Sequence, residues 1–318
     1  MQNITVCRYV DGSEASDICL DLATDQISVW FSAVVLFANI IHMVFIMQLH
    51  HHKGTVFYTT LRLTTINDIL TSVTNTLLMF CPFREYVVLT YPSVCLIATV
   101  LGVALFGFKY FVILFTIVER WLLLAKPFQY SESIFIRKYH IWVWFGLAFS
   151  LLANFLTYFM AFLYDPLFCY DTGFGIYGSP SYVNFAIILP YFLLNTAITI
   201  YSVLFFLQYL KLRRQQIRTE ADVQLKQACM YVAISTAAYM GCSMVALVFQ
   251  SINLAGKGQE LKPWLLLINQ THGIWNILAL YVALKSYRDK VKESLTKCLQ
   301  CWCSKARHVI EPESELTN

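Results

Sequence analysis

Charge is scarce in this chain. Only 13% of its 318 residues are Asp, Glu, Lys or Arg, about half of what a soluble domain carries. With 58% hydrophobic residues, that scarcity excludes an ordinary soluble domain and a disordered chain alike. A basic flank is missing to the left of the first apolar run, which follows about 26 polar and acidic residues and is itself long enough to span a membrane. That run is therefore read as a retained segment and not as a signal peptide. Internal repeats and broken helices, the marks of a transporter, are absent from the pattern. Converging metal ligands are absent too. His50, His51 and His52 are consecutive and cannot share one helical face, and His42 and His272 stand alone. No metal, no cofactor and no enzymatic activity are expected.

What the chain does have is long apolar runs, over 27–49, 57–82, 93–118, 141–164, 183–210, 228–253 and 263–284. A hydrocarbon layer of about 30 Å needs about 20 such residues per helix, and a backbone in lipid must satisfy its own hydrogen bonds. The fold class expected is an all-α membrane protein of seven transmembrane helices with a short amphipathic helix after them. Lys and Arg give the orientation. With the N-terminus outside, four of the 23 fall on outer segments: Arg8, Arg84, Lys257 and Lys262. One, Lys109, falls near the middle of a span, and the other eighteen, with Arg62 at the inner end of its span, are counted to the inner side. The net charge of +4 thus reports contact with the inner leaflet of a lipid bilayer and is no argument for nucleic acid. Four regions follow: an extracellular N-terminus (1–26), the spans (27–284), an amphipathic juxtamembrane helix with a cysteine cluster (285–303) and a cytoplasmic tail (304–318). Asn3, in Asn3-Ile4-Thr5, is a glycosylation acceptor on the outer side.

The ten cysteines sort by compartment. Cys95, at the outer end of the third span, and Cys169, in the longest outer loop, face an oxidising space, where a bridge would tie that loop down. Cys7 and Cys19 are also outside and able to pair with each other. Cys298, Cys301 and Cys303 lie inside and are candidates for palmitoylation. The basic segment 211–226, "KLRRQQIRTEADVQLK", is either a patch on the lipid surface or a docking face for a cytoplasmic partner. Polar residues within the spans are few, and asparagines such as Asn67, Asn195 and Asn269 are read as interhelical hydrogen-bond formers. Asp68 and Lys109 are different, being ionisable near mid-membrane.

Cys95 is followed twenty-five residues later by Arg120, in "VERW", and seven further on by Pro127, in "KPFQY". This spacing resembles helix three of the rhodopsin-like G-protein-coupled receptors. The resemblance extends over about residues 27–303: Asn39 in "FANII", Asp68 in "TINDIL", Trp144, Pro190, Asn276 in "WNILALY" and Tyr287 in "KSYRDKVKESL" are similar to landmarks of the other helices. Two departures stand out. Ile277 occupies the place of the helix-seven proline, and helix six, "YVAISTAAYMGCSMVALVF", has neither its proline nor its tryptophan. The combination looks most like divergent fish odorant receptors.

That resemblance implies a chemosensory receptor in the plasma membrane, with a small-molecule ligand and a heterotrimeric G protein as partners. It implies a Cys95–Cys169 disulfide and a coupling site made by Glu119, Arg120, Trp121 and Pro127. Glu119 and Arg120, at the cytoplasmic end of their helix, are expected to snorkel to water or to pair. The implied ligand wall comprises Gly102, Val103, Phe106, Tyr182, Ala186, Leu266, Asn269 and Gln270, which is apolar with a few neutral hydrogen-bonding groups. Gly102 stands where amine receptors keep an aspartate, and Gln270 where opsins keep their lysine, so a small, largely neutral ligand is expected. The alternatives are a non-olfactory receptor of the same family, or a seven-span enzyme or transporter. Lys109 stands where the family commonly has a serine that helps the counterpart of Asp68 hold sodium. A lone ammonium in hydrocarbon is costly, and Lys109 lies about 16 Å from Arg120 along a helix rising 1.5 Å per residue. It is expected to pair with Asp68, with Asn39 or Asn276 joining.

Overall fold

The computed structural model describes residues 5–8, 18–49, 55–79, 92–164, 181–214, 219–254 and 262–310. A short antiparallel pair, β1 (Thr5–Arg8) and β2 (Ile18–Asp21), precedes the helices and sets the Cα of Cys7 opposite that of Cys19. Eight long helices follow among the described residues: α1 (Leu22–Met47), α2 (Val56–Met79), α3 (Pro92–Ala125), α4 (Tyr139–Tyr164), α5 (Ser181–Arg214), α6 (Glu220–Leu254), α7 (Lys262–Ala283) and α8 (Lys285–Ile310), with one short turn of helix, Ile134–Arg137, before α4. Within the described residues four stretches are long and apolar enough to cross a membrane: Val29–Met47, Val100–Ala125, Tyr139–Phe159 and Leu189–Arg214. The runs 57–82, 228–253 and 263–284 extend past the residues whose side chains are described.

Local chemistry sets several helix ends. Thr219 and Asp222 close a reciprocal box at the start of α6: each backbone N–H donates to the other's side chain, at 3.0 and 3.2 Å. Pro127 opens a single 3-10 turn, Pro127–Gln129, directly after α3, at a position where its missing N–H costs nothing. The last helix differs from expectation at its far end. It continues to Ile310 rather than yielding to a tail at 304, because nothing from Lys285 to Ile310 is Pro or Gly.

Helix α3 lies at the centre and packs on α2, α4, α5 and α6, while α1 packs on α2 and α7, and α7 on α6. The larger buried cluster joins α1, α2, α3, α5, α6 and α7 through Ile46, Phe57, Leu61, Ile117, Phe205, Val232, Leu280 and the start of α8 at Tyr287. A second cluster, with Phe108, Phe111, Phe115, Tyr139 and Val143, joins α3 to α4. Large apolar side chains also cover the outward faces, among them Trp30, Phe37, Trp144, Leu152, Phe192 and Leu207. Polar groups, by contrast, are buried inside: Asn39, His42, Asn67, Asp68, Lys109, Asn195, His272 and Asn276. Apolar outside and polar inside reverses the pattern of a protein surrounded by water and suits lipid.

Gly273 of α7 faces α1 closely: a Cβ placed there would sit 2.8 Å from Asn39 Nδ2, whose amide is already held by the Val35 carbonyl at 2.9 Å. A Cβ on Gly241 of α6 would meet nothing within 4 Å. We therefore expect Gly273→Ala to lower the melting temperature of detergent-purified protein by displacing Asn39. Gly241→Ala should hold or raise it, by up to about 1 kcal/mol of helix propensity.

Candidate functional site

Two buried charge centres lie along α3, one near its middle and one towards its C-terminal end. In the first, Lys109 Nζ donates to Asp68 Oδ1 at 2.6 Å, with side chains 6% and 3% exposed. The second carboxylate oxygen is not free. Asn276 Nδ2 donates to Asp68 Oδ2 at 3.1 Å, and Ser235 Oγ donates to Asn276 Oδ1 at 2.5 Å. His272 Nδ1 lies 3.2 Å from Asn276 Nδ2, one turn away on α7. One network therefore joins α2, α3, α6 and α7. Asn39 is not part of it. Its amide is turned back onto its own helix, to Val35 one turn earlier, and its Oδ1 is buried without a hydrogen-bond partner. Of the two asparagines expected as alternatives, Asn276 is the one that bonds Asp68, and Asn39 bonds Val35 instead.

In the second centre, Arg120 Nε lies 2.7 Å from Glu119 Oε2. The N–H is not aimed along that line, since Nε forms no hydrogen bond, so the contact is one of close opposite charges. The guanidinium also lies over the Phe57 ring of α2, 4.6 Å from its centroid, a favourable cation–π arrangement. The other carboxylate oxygen of Glu119 accepts a hydrogen bond of 2.5 Å from Tyr130 Oη. Burial, and then the Glu119 charge, push the Tyr130 hydroxyl well above its ordinary value, so it stays protonated and donating. Both charged residues are buried. Of the two expected outcomes, snorkelling to water or pairing, the structure shows the pairing: Phe57 and Tyr130 lie against the two charges where water would otherwise be.

The other expected coupling residues flank this pair. Trp121 is half-buried and meets Tyr201 of α5 edge-on at 5.7 Å. Pro127 is exposed, and its neighbour Phe128 is 96% exposed. That bare aromatic just past the C-terminal end of α3, which the sequence reading missed, became visible only once the turn after α3 was in place.

Of the expected ligand wall, Gly102 is buried on α3 and Val103 and Phe106 are half-buried. The side chains of Tyr182, Ala186, Leu266, Asn269 and Gln270 lie outside the described residues, as do Asn3, Cys169 and the side chains of Cys95, Cys301 and Cys303. Cys298 is an exposed free thiol. Below Phe106, ring contacts continue inward: Phe106 to Tyr110 at 5.2 Å, Tyr110 to Tyr239 at 5.3 Å, and Tyr239 to His272 at 5.4 Å. The chain of contacts thus runs from the expected wall to Asn276 and the ion pair. His42 and His272, taken alone in sequence, both have partners, and His42 Nδ1 meets Tyr287 Oη at 2.7 Å. Among the described residues no group of His, Cys, Asp or Glu is arranged to hold a metal ion.

A small crevice of about 20 Å³ lies between α3, α4 and α5, with Ser150, Asn154 and Tyr191 as its polar floor. That is room for a water-sized group, not a ligand. No protein-family model matches the chain, and no curated protein matches it significantly.

The Asp68–Lys109 pair makes a clear prediction. Removing one partner of a buried ion pair strands the other charge, at about 3–5 kcal/mol, whereas removing both need not destabilise. Lys109→Met should reduce the yield of folded protein on size-exclusion chromatography. Asp68→Asn combined with Lys109→Met should recover it.

Proposed function

We propose that this chain is a seven-span receptor of the rhodopsin-like class, placed in the plasma membrane with its N-terminus outside. It binds a small, largely neutral ligand in the outer half and activates a heterotrimeric G protein at the inner face. The observation that carries the reading is the Glu119–Arg120 pair: a cation held under cover at the inner end of the central helix, in register with Cys95 and Pro127. A buried charge pair does little for stability, and a cation latched by two weak contacts is suited to be released. Beside it, Phe128 offers an exposed aromatic anchor of the kind that protein interfaces use, among inner segments rich in Lys and Arg. The proposed outer disulfide, Cys95–Cys169, would fix the loop before α5 to the top of α3.

The odorant-type reading follows from the motifs "INDIL", "VERW" and "YVALKSYRDKV". An uncharged α3 wall at Gly102, Val103 and Phe106 favours a neutral ligand, with hydrogen bonds contributed by Asn269 and Gln270.

Two variants test the coupling reading in cells expressing the full chain, with surface labelling and second-messenger output read together. Arg120→Ala should reach the surface and give no signal to a stimulus that activates the parent chain. Tyr130→Phe removes one hydrogen bond to a charged group, worth about 1.5–3 kcal/mol. It should raise ligand-free signalling, by about tenfold for each 1.4 kcal/mol that the latched state loses. Full signalling by Arg120→Ala would sink the receptor reading. Peptide mapping without reductant should find Cys95 joined to Cys169, and a free thiol at either would reject the outer architecture.

A further inference from the structure

We propose that the Lys109 ammonium is the resident cation of a site built around Asp68, fastening α6 to α2 and α3, and that the site takes a dissolved alkali cation only when that ammonium is removed. This goes beyond the receptor reading and stands whatever signal the protein carries.

A carboxylate buried among helices in lipid needs a positive partner, or it takes up a proton. Three sources are available to Asp68: a dissolved cation, a proton or a side chain. The structure assigns the third. Nζ of Lys109 sits 2.6 Å from one carboxylate oxygen and Asn276 Nδ2 sits 3.1 Å from the other, so each oxygen already faces a donor. The ammonium comes from the neighbouring helix and cannot diffuse away, so the site is filled at every salt concentration.

The same carboxylate orients α6. Asn276 can offer its Oδ1 to Ser235 because its Nδ2 is engaged on Asp68, and the Ser235 hydroxyl donates to that oxygen at 2.5 Å. The path from Lys109 to α6 is therefore three consecutive polar contacts, two of them buried and the last, at Ser235, partly buried. Without the ammonium, the space beside Asp68 keeps two carboxylate oxygens. A serine hydroxyl at position 109 would add a third oxygen. Oxygen ligands of this kind suit hard cations.

The experiment uses the full chain purified in detergent. Thermal unfolding is followed by tryptophan fluorescence in sodium chloride, potassium chloride and N-methylglucamine chloride at equal ionic strength. The native sequence should melt at the same temperature in all three. Lys109→Ser should melt several degrees lower in N-methylglucamine and recover specifically in sodium. Asp68→Asn combined with Lys109→Ser should fold and show no sodium effect. Ser235→Ala should also show none, yet exchange its α6 amide hydrogens faster. Sodium-specific stabilisation of the native sequence would overturn the proposal, because the site would then take a dissolved cation despite the lysine. It is equally overturned if Lys109→Ser gains nothing from sodium. The same holds if that variant is unrecoverable in any of the salts while the double variant folds. Unchanged exchange in Ser235→Ala would remove the fastening of α6.

Discussion

An ammonium and a carboxylate buried 2.6 Å apart between α2 and α3 are the constraint around which the middle of this protein is arranged. Neither charge can be left alone in a medium of low dielectric, so the two helices that carry them must stay in register. A slip of one residue along either helix rotates its side chain by about 100° and strands both charges. The remaining lone pairs set further demands. Asp68 Oδ2 requires a donor, Asn276 supplies it, and the position of α7 follows. Asn276 then has a carbonyl oxygen to satisfy, Ser235 supplies the donor, and α6 follows. Four helices are positioned by hydrogen-bond accounting that starts from one ion pair. Apolar packing alone does this poorly in lipid, where the surroundings are as oily as the core.

The second charge centre obeys the same rule with the opposite outcome. Asp68 has donors on both oxygens from other helices. Glu119 has a sequence neighbour whose N–H misses it and a tyrosine from the turn after α3. The first centre is cross-braced between long helices, while the second leans on a short 3-10 turn next to exposed residues. Differences in support of this kind separate a structural pair from a switchable one. The physical reason is local: the chain after Pro127 is held by few buried contacts, so opening there disturbs little else.

Much of this was legible in the sequence, and the boundary of legibility has a physical cause. Apolar runs announced the helices because lipid permits few other structures, and α2, α4 and α7 start and stop within a few residues of the runs that predict them. The Lys109–Asp68 contact was legible because two costly charges at similar depth in adjacent helices have few alternatives. Asn67 likewise bonds across to α3, through the Leu105 carbonyl at 3.0 Å. Asn39 was not legible. An asparagine in a helix can satisfy its amide on the carbonyl one turn back, and that local choice leaves no trace in spacing. The hydrogen-bond partners of the histidines were hidden for the reverse reason. The partner of His42, Tyr287, lies 245 residues away in sequence, and no periodicity connects them.

The missing landmarks of α6 and α7 look different once the polar core is considered. Without proline, α6 runs unbroken from Glu220 to Leu254, so it has no built-in hinge of the usual kind. A straight helix can still move as a rigid body if what holds it is discrete. Here the attachments are Ser235 to Asn276 near its middle, Tyr239 edge-on to Tyr110 and His272 one turn further out, and apolar packing of Cys229 and Val232 further in. The ring contacts lie on the side of Phe106 and the hydrogen bond on the side of the ion pair. A displacement of Tyr110 or Tyr239 therefore acts on α6 one turn from the point where the ion-pair network grips it. The lever is short and stiff, and the energy needed to move it is set by one hydrogen bond and a few ring edges rather than by the bending of a backbone.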